Sequence, residues 1–526
     1  MPATTERGAH RRQARATAGL PAAPTDAEKV SYADRGIALI TCSSLISFGA
    51  LLLSQTRFIT VSRPLLALMP LLTFTIAYYV ISLCVNTGTH SFDYPAHRRL
   101  VASWRPRHYP SLDVFLPVCG EPLPVLHNTW KHVFELLHAY PGAATVYVLD
   151  DGASRRIAAM ARDFGFAYLV RPDRGWMKKA GNLRHGFAMS AGEFILVLDA
   201  DFAPRADLPA EMLPYFDKEP SLGIVQSPQY FRTTAHVSWI ERGAGAVQEL
   251  FYRLVQVSRD SHDGAICVGS CAIYRRVALA SNGGTTLIEH SEDVHTGFDL
   301  RRAGWGLRYL PVPLATGLCP SDPDSFLTQQ YRWCSGSMSL LGSRKFWATK
   351  MPWRTRCCYL SGFCYYIHTA LFTFATPLFP LVMLIFMPEQ VRLANYVLIM
   401  PSIAYNLVVF PAWHRCRFGP SAFMAKLLYG WAHIFALWDI ARRKRMGWQA
   451  TGTAKRKAGT RRVWAGIAAW NGSTCIAWVL LAIWRMVQYP TMNFVVLFGT
   501  GIFACMVAIM ALGSRRNFAR MPKESE

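Results

Sequence analysis

Six stretches of this chain run for about 20 positions or more without a charged residue: 36–56, 64–86, 357–388, 394–413, 463–484 and 486–514. A helix needs roughly 20 apolar residues to cross the hydrocarbon core of a bilayer, so each stretch is long enough to be a membrane span. Run 357–388 exceeds one span. Its first part, through about Tyr366, reads as an interfacial helix and the rest as the span. Pro377 and Pro380 kink that span, which is tolerated where neighbouring helices satisfy the freed carbonyls. The expected layout is two transmembrane helices in 36–86, an interfacial helix and two more spans in 357–413, and a last pair in 463–514.

Charge then sets orientation. The net charge of +23 would suit a nucleic-acid partner, but the basic residues sit mostly beside spans. Arg7, Arg11, Arg12 and Arg15 precede the first, and 441–462 is denser still, whereas the loops at 55–63, 389–392 and 485–493 are short and carry little charge. Positive-inside sorting accounts for this pattern without nucleic acid. It places both termini, the middle region and 414–462, an interfacial helix followed by a basic loop, on the cytoplasmic side. Residues 1–35 are polar and rich in Pro, Ala and Arg, which predicts a disordered cytoplasmic tail rather than a cleaved signal peptide. A second short basic tail occupies 515–526. The 13 cysteines show no CxxC pair or Cys/His metal spacing, and no structural disulfide is expected.

Between the spans, 91–354 changes character. Short runs rich in Val, Ile, Leu and Phe at 112–118, 145–149, 167–170, 194–198 and 223–226 alternate with helical periodicity at 126–139 and 155–164. That alternation predicts a parallel sheet with helices on both faces, and such sheets bind ligands at the C-terminal ends of their strands. Asp150-Asp151-Gly152 follows one strand and Asp199-Ala200-Asp201 another, so the two carboxylate groups should meet at one sheet edge. Further on come Ser291-Glu292-Asp293 and Gln329-Gln330-Tyr331-Arg332-Trp333. Each has a plain structural reading: a turn, a strand-end carboxylate pair, a helix N-cap, an amphipathic interfacial helix. Their joint occurrence in this order points instead to one site, with carboxylates for a divalent cation, a base and a phosphate-binding arginine.

On these motifs the chain resembles the processive family-two glycosyltransferases, most closely bacterial cellulose synthase catalytic subunits, over roughly residues 112–341. Lys179-Ala180-Gly181-Asn182, Gln226-Ser227-Pro228-Gln229, Gly269-Ser270 and Gly317-Leu318-Cys319-Pro320 also match. Departures are Cys119-Gly120 before Glu121, Val268 where the family carries Cys (with Cys267 one place earlier), Phe202 after the Asp-x-Asp, and Gln330 at a position often Arg. The resemblance implies an α/β cytoplasmic glycosyltransferase domain of GT-A type, with a Rossmann-like, mostly parallel sheet, inserted between transmembrane α-helices. It also implies a UDP-sugar donor, a growing polysaccharide acceptor and an extracytoplasmic accessory subunit as a further partner. No cyclic-dinucleotide-binding barrel follows Ser514, so activity independent of that effector is expected.

Roles follow residue by residue from the resemblance. Asp199 and Asp201 hold Mg²⁺ or Mn²⁺. Asp293, beside Glu292, takes the proton of the attacking hydroxyl. Arg332 and Lys179 meet the diphosphate, Asp150 and Asp151 the uridine and ribose, Gln329 binds the nucleotide sugar, and Trp333 meets the terminal sugar. Trp448–Thr453 resembles a gating loop, which would bring Thr451 to the nucleotide; a basic loop shaped only by charge sorting reads equally well. The product implied is a β-glucan made from UDP-glucose and exported. Mixed-linkage glucan, chitin, hyaluronan and single-bond transfer are the rival outcomes. A transporter would place charged residues within its spans, and the six runs hold no Asp, Glu, Lys or Arg.

Overall fold

The computed structural model describes residues 19–33, 36–61, 63–233, 237–416, 418–444 and 458–520. Its centre is a sheet built from β1 (Leu112–Val118), β2 (Ala144–Asp150), β3 (Ala167–Leu169) and β4 (Phe194–Val197), as the apolar runs predict. A small sheet interleaves with the rest of the main one along the chain: β5 (Ala203–Pro204), β6 (Leu222–Gln226), β7 (Tyr230–Phe231), β8 (Ala272–Arg275), β9 (Gly306–Tyr309) and β10 (Ala315–Gly317). The main sheet has seven strands in the order β3-β2-β1-β4-β8-β6-β9, and β5-β10-β7 form the three-stranded one. All pairings in the main sheet are parallel except those of β8 with β4 and β6.

Side-chain alternation along each strand divides the core. Leu112, Val114, Leu116 and Val118 of β1, with Phe194 and Leu196 of β4, join the helix Leu123–Ala139 on one face. Phe115, Ile195 and Val197 face the other way, with Leu183 of the helix Lys178–Met189. Both faces are therefore covered by helices, as a mostly parallel sheet requires.

Five helices among the described residues are long and apolar enough to cross a membrane: Ile37–Thr60, Leu66–Asn86, Trp353–Phe386, Thr460–Gln488 and Val495–Arg515. The expected sixth span is interrupted. Residues 393–413 form short pieces, Leu393–Leu398, Met400–Ala404, Tyr405–Val409 and Phe410–Trp413, of which the first is 3₁₀ and the third π. Pro401 and Pro411 each lack the amide that would continue an α-helix. No break separates an interfacial helix from a span near Tyr366. The α-helix runs from Trp353 to Ala375 and resumes at Leu378–Phe386 beyond Pro377, where the kink was expected.

The predicted disordered tail needs correcting over its last part. Residues 19–33 lie as a strap on the catalytic domain, with a capped helical turn at Asp26–Lys29. Arg232 donates to both Glu28 oxygens at 2.7 Å, Arg205 to the Pro24 carbonyl at 2.6 Å, and Lys29 to Asp207 at 2.7 Å and Glu211 at 2.5 Å. All thirteen cysteines are free thiols.

Candidate active site

The strand order fixes which motifs meet. β2 and β4 both flank β1, so Asp150 at the end of β2 and Asp199 just beyond β4 emerge on either side of one strand end. Loop 267–271 follows from the far side of β4 and is pinned to the sheet by Gln226. That side chain donates to the Ser270 carbonyl at 2.8 Å and accepts from the Val268 amide at 3.2 Å. Ser270 Oγ in turn accepts from the Asp199 amide at 2.9 Å.

Lys179 links three motifs. Its Nζ donates to Asp199 Oδ1 at 2.5 Å and to the Gly269 carbonyl at 2.9 Å, and stands 3.8 Å from Glu292 Oε1. Burial pulls the ammonium towards neutrality, but the Asp199 and Glu292 charges outweigh it and hold Lys179 above its usual range. Asp293 lies beside Glu292 at the start of the helix Glu292–Arg302 and accepts from the Val294 amide at 2.8 Å. Burial, then the neighbouring Glu292 charge, push its carboxyl up to about 7. Gly269 makes room for it: the backbone there has φ +76°, and a Cβ would fall 2.9 Å from Asp293 Oδ2.

Arg332 and Trp333 lie half-buried on the helix Pro323–Leu341. Burial draws the guanidinium below its usual range while Glu292 and Asp199 act in the opposite sense, which puts Arg332 in the field of the same carboxylates. Gln329, one turn earlier, has its Oε1 buried with no hydrogen-bond partner. The helix is seated by Gly336, where an added Cβ would overlap Ser291, and by Ser339, whose hydroxyl lies 3.0 Å from His295 Nε2.

Asp150 and Asp151 are both engaged within the chain. Asp150 is fully buried and its oxygens are occupied within the chain. It accepts from the Gly152 amide at 2.7 Å, the Ser154 amide at 2.8 Å and the Tyr168 hydroxyl at 2.8 Å. These bonds shape the turn after β2. Asp151 is held in a fork by Arg171, at 2.6 and 2.7 Å. The same guanidinium donates to the carbonyls of Trp176 and Lys178, tying the loop before Lys179 to the turn. Cys267, the neighbour of Val268, is wholly buried, with Sγ 2.9 Å from the Tyr274 hydroxyl. Thr451, with the rest of 448–453, lies outside the described residues.

The donor set fits a divalent cation. Burial, then the Asp199 charge, raise Asp201 to about 7, with Glu121 adding to the same effect. The pocket therefore concentrates negative charge that a cation would relieve. Among the described residues no group of three or more His, Cys, Asp and Glu gathers as a complete metal cage. Two carboxylates with remaining positions left to phosphate and water is the arrangement Mg²⁺ and Mn²⁺ commonly take.

Arg171 and Gly336 are the site residues that sequence reasoning missed. Their only sequence signals were an arginine after a short strand and a glycine one turn beyond Arg332.

Residues 194–409 match the family described as Glycosyl transferase family group 2. Among curated proteins, the chain is 30% identical over 347 residues to a putative cellulose synthase 2 of Komagataeibacter xylinus, covering 63% of this chain and 22% of that protein. It is 30% identical over 267 residues to the UDP-forming cellulose synthase catalytic subunit of Pseudomonas fluorescens, covering 51% of this chain and 36% of that one. The match thus spans between about a fifth and about a third of these relatives' length. Among solved structures, a mannosyltransferase from Pyrobaculum calidifontis in complex with GDP-Man and Mn²⁺ superposes with a TM-score of 0.48 at 16% identity, covering 70% of this chain and 98% of that one.

Proposed function

The chain carries a family 2 glycosyltransferase domain and is related in sequence to cellulose synthases, and from that premise we propose that it polymerises glucose from UDP-glucose into a β-glucan and passes the product across the membrane. The observation that carries this reading is the convergence of Asp293, Glu292, Lys179, Asp199 and Arg332 on one sheet edge beside membrane helices. The catalytic domain and both termini then face the cytoplasm of a cell-membrane protein, in line with the distribution of arginine and lysine.

Transfer with inversion needs one base and no acid, because the leaving group is a diphosphate whose charge has only to be neutralised. Asp293 accepts the proton of the attacking acceptor hydroxyl. Its raised pKa suits that task, since a base poised near neutrality is both ionised and strong enough to take the proton. Lys179 offers the diphosphate a point charge and Arg332 a planar fork that can engage two phosphate oxygens. Asp199 and Asp201 would hold Mg²⁺ or Mn²⁺, which when bound stabilises charge on the departing diphosphate. Lys179 also keeps Asp199 oriented. Asp150, Asp151 and Arg171 set the turn on which the nucleotide rests, and Trp333 offers a flat face to the terminal sugar.

The test is incubation of the purified membrane protein with each radiolabelled UDP-sugar, followed by digestion of the product with linkage-specific hydrolases. A glucose polymer cut by a β-1,4-glucanase is expected. Polymer from UDP-N-acetylglucosamine instead, or a single added sugar, would replace this reading. Asp293→Asn should abolish polymer while UDP still binds, and near-normal turnover would remove Asp293 from the role of base.

A further inference from the structure

A cavity of about 630 Å³ opens at the end of the last membrane-length helix, with none of the motif residues in its wall. Small-ligand sites commonly have this size. Three elements enclose it. Trp239 and Arg242 belong to the helix Trp239–Leu250, which follows β7 of the catalytic domain. Phe418 and Met424 come from around the start of the helix Pro420–Ala441, and Met510 and Gly513 from the last turns of Val495–Arg515. The wall is mostly apolar, and no carboxylate lines it.

Two of its polar groups can only donate. Trp239 Nε1 is buried without a hydrogen-bond partner, although buried polar groups nearly always have one. Arg242 donates through Nη1 to the Val237 carbonyl at 2.5 Å and forms no ion pair among the described residues. Its neighbour Glu241 is taken up by the Ser238 amide, at 2.7 Å, in the capping box of that helix. Phe418 also stands 5.2 Å from the Lys426 ammonium, with the rings of Phe410 and Phe423 at 5.2 and 5.6 Å from it. Burial lowers that ammonium to about 8. Cations and an idle indole N–H together call for a ligand that accepts and carries negative charge.

The surroundings make that ligand a lipid. Ile502, Met506, Ile509 and Met510 are exposed on the helix Val495–Arg520, and their spacing of three and four puts them on one face. That face runs from the cavity down the membrane-length segment. Arg515 stands at the same end of the segment, the level at which basic residues meet acidic headgroups. We propose that the cavity binds one anionic phospholipid of the leaflet next to the catalytic domain, its phosphate accepting from Arg242 and Trp239 Nε1 and an acyl chain lying along Ile509, Met506 and Ile502. The arginine fork can engage two phosphate oxygens. The bound lipid joins the catalytic domain, the helix Pro420–Ala441 and the last span at one point.

The test uses the full chain in a neutral detergent, read by native mass spectrometry and thermal unfolding. The probes are phosphatidylglycerol, phosphatidylcholine of the same acyl chains, and inorganic phosphate. Wild type should retain one phosphatidylglycerol per chain at concentrations where phosphatidylcholine is not retained, and should unfold at a higher temperature with it than without. Arg242→Gln should weaken that retention by roughly tenfold or more, the worth of a charged hydrogen bond, and lose most of the thermal gain while keeping the lipid-free unfolding temperature. A second variant fills the cavity instead. A Cβ at Gly513 would meet nothing within 4 Å, so Gly513→Phe should fold and exclude the lipid with Arg242 intact. Equal retention of phosphatidylcholine, or retention unchanged in either variant, would overturn the proposal. Displacement of phosphatidylglycerol by an equal concentration of inorganic phosphate would overturn it too, in favour of a free-phosphate site.

Discussion

Gly269→Ala places a methyl group against the proposed base, and the structure sets how large the effect should be. The new Cβ would lie 2.9 Å from Asp293 Oδ2 and 3.0 Å from Asp293 Cβ, where ordinary contact begins at 3.4 Å. The carboxylate must therefore retreat by about half an ångström. A one-ångström misplacement in an active site can cost about 10²-fold in rate, so about tenfold in kcat is expected here. The positive φ adds a backbone penalty of roughly 1–2 kcal/mol for an L-residue, which should lower the unfolding temperature by about 2–8 °C in a domain of this size. Donor affinity should hold, because Lys179 bonds to the residue 269 carbonyl, which alanine retains. The control is Gly165→Ala. Gly165 also has positive φ, +72°, but has open space around it, so that variant should share the thermal shift and keep wild-type kcat. Initial rates of UDP release across a donor titration separate kcat from KM. If Gly269→Ala keeps wild-type kcat, or loses only donor affinity, the Gly269 contact is not what positions Asp293.

Further outcomes follow from the same geometry. Asp293 must be ionised to accept a proton and its carboxyl is raised to about 7, so kcat should fall roughly tenfold per pH unit below that value and level off above it. A profile flat from pH 5 to 8 would rule out this base. Chelation with EDTA should abolish activity and Mg²⁺ or Mn²⁺ restore it, with Asp201→Asn raising the metal concentration required; activity surviving thorough chelation would leave diphosphate neutralisation to Lys179 and Arg332. Lys29→Ala strips a cation from two partners in a nearly dry setting, with Lys29 and Glu211 side chains 5% and 4% exposed. It should cost about 3 kcal/mol in thermal or denaturant unfolding, and a loss under about 1 kcal/mol would mean that His97, 2.7 Å from Glu211, suffices.

Local pattern revealed those parts of the molecule that local pattern determines. β1 through β4 and β6 are runs of Val, Ile, Leu and Phe, and each appears where the runs lie. β8 and β9 escape such reading because Ala272–Arg275 and Gly306–Tyr309 each hold a single Ile or Leu and owe their strand geometry to partners far off in sequence. Absence of charge identified membrane-length segments but not continuity, since Pro401 and Pro411 divide 393–413 without adding a charge. At the site, the motifs gave the titratable groups and their order. They could not say that Asp150 spends both oxygens on its own turn, because that depends on Tyr168 folding back from β3. Nor could they single out Gly336, whose importance lies entirely in the Ser291 side chain packed against it.

The strap at residues 19–33 has a consequence for how the protein is made. It leaves the ribosome well before the residues that clasp it, since Asp207, Glu211 and Arg232 come 178, 182 and 204 positions after their partners Lys29 and Glu28. Both helices of the first membrane hairpin are synthesised in that interval. The strap must therefore wait beside the nascent bilayer insertion until the sheet closes, and its docking belongs to the end of domain folding. Contacts this distant are slow to form because the intervening chain has to be ordered first. A pulse-labelled chain should accordingly resist proteolysis in the sheet before it does at residues 19–33, so that protection of the amino-terminal segment serves as a timer for completion of the domain.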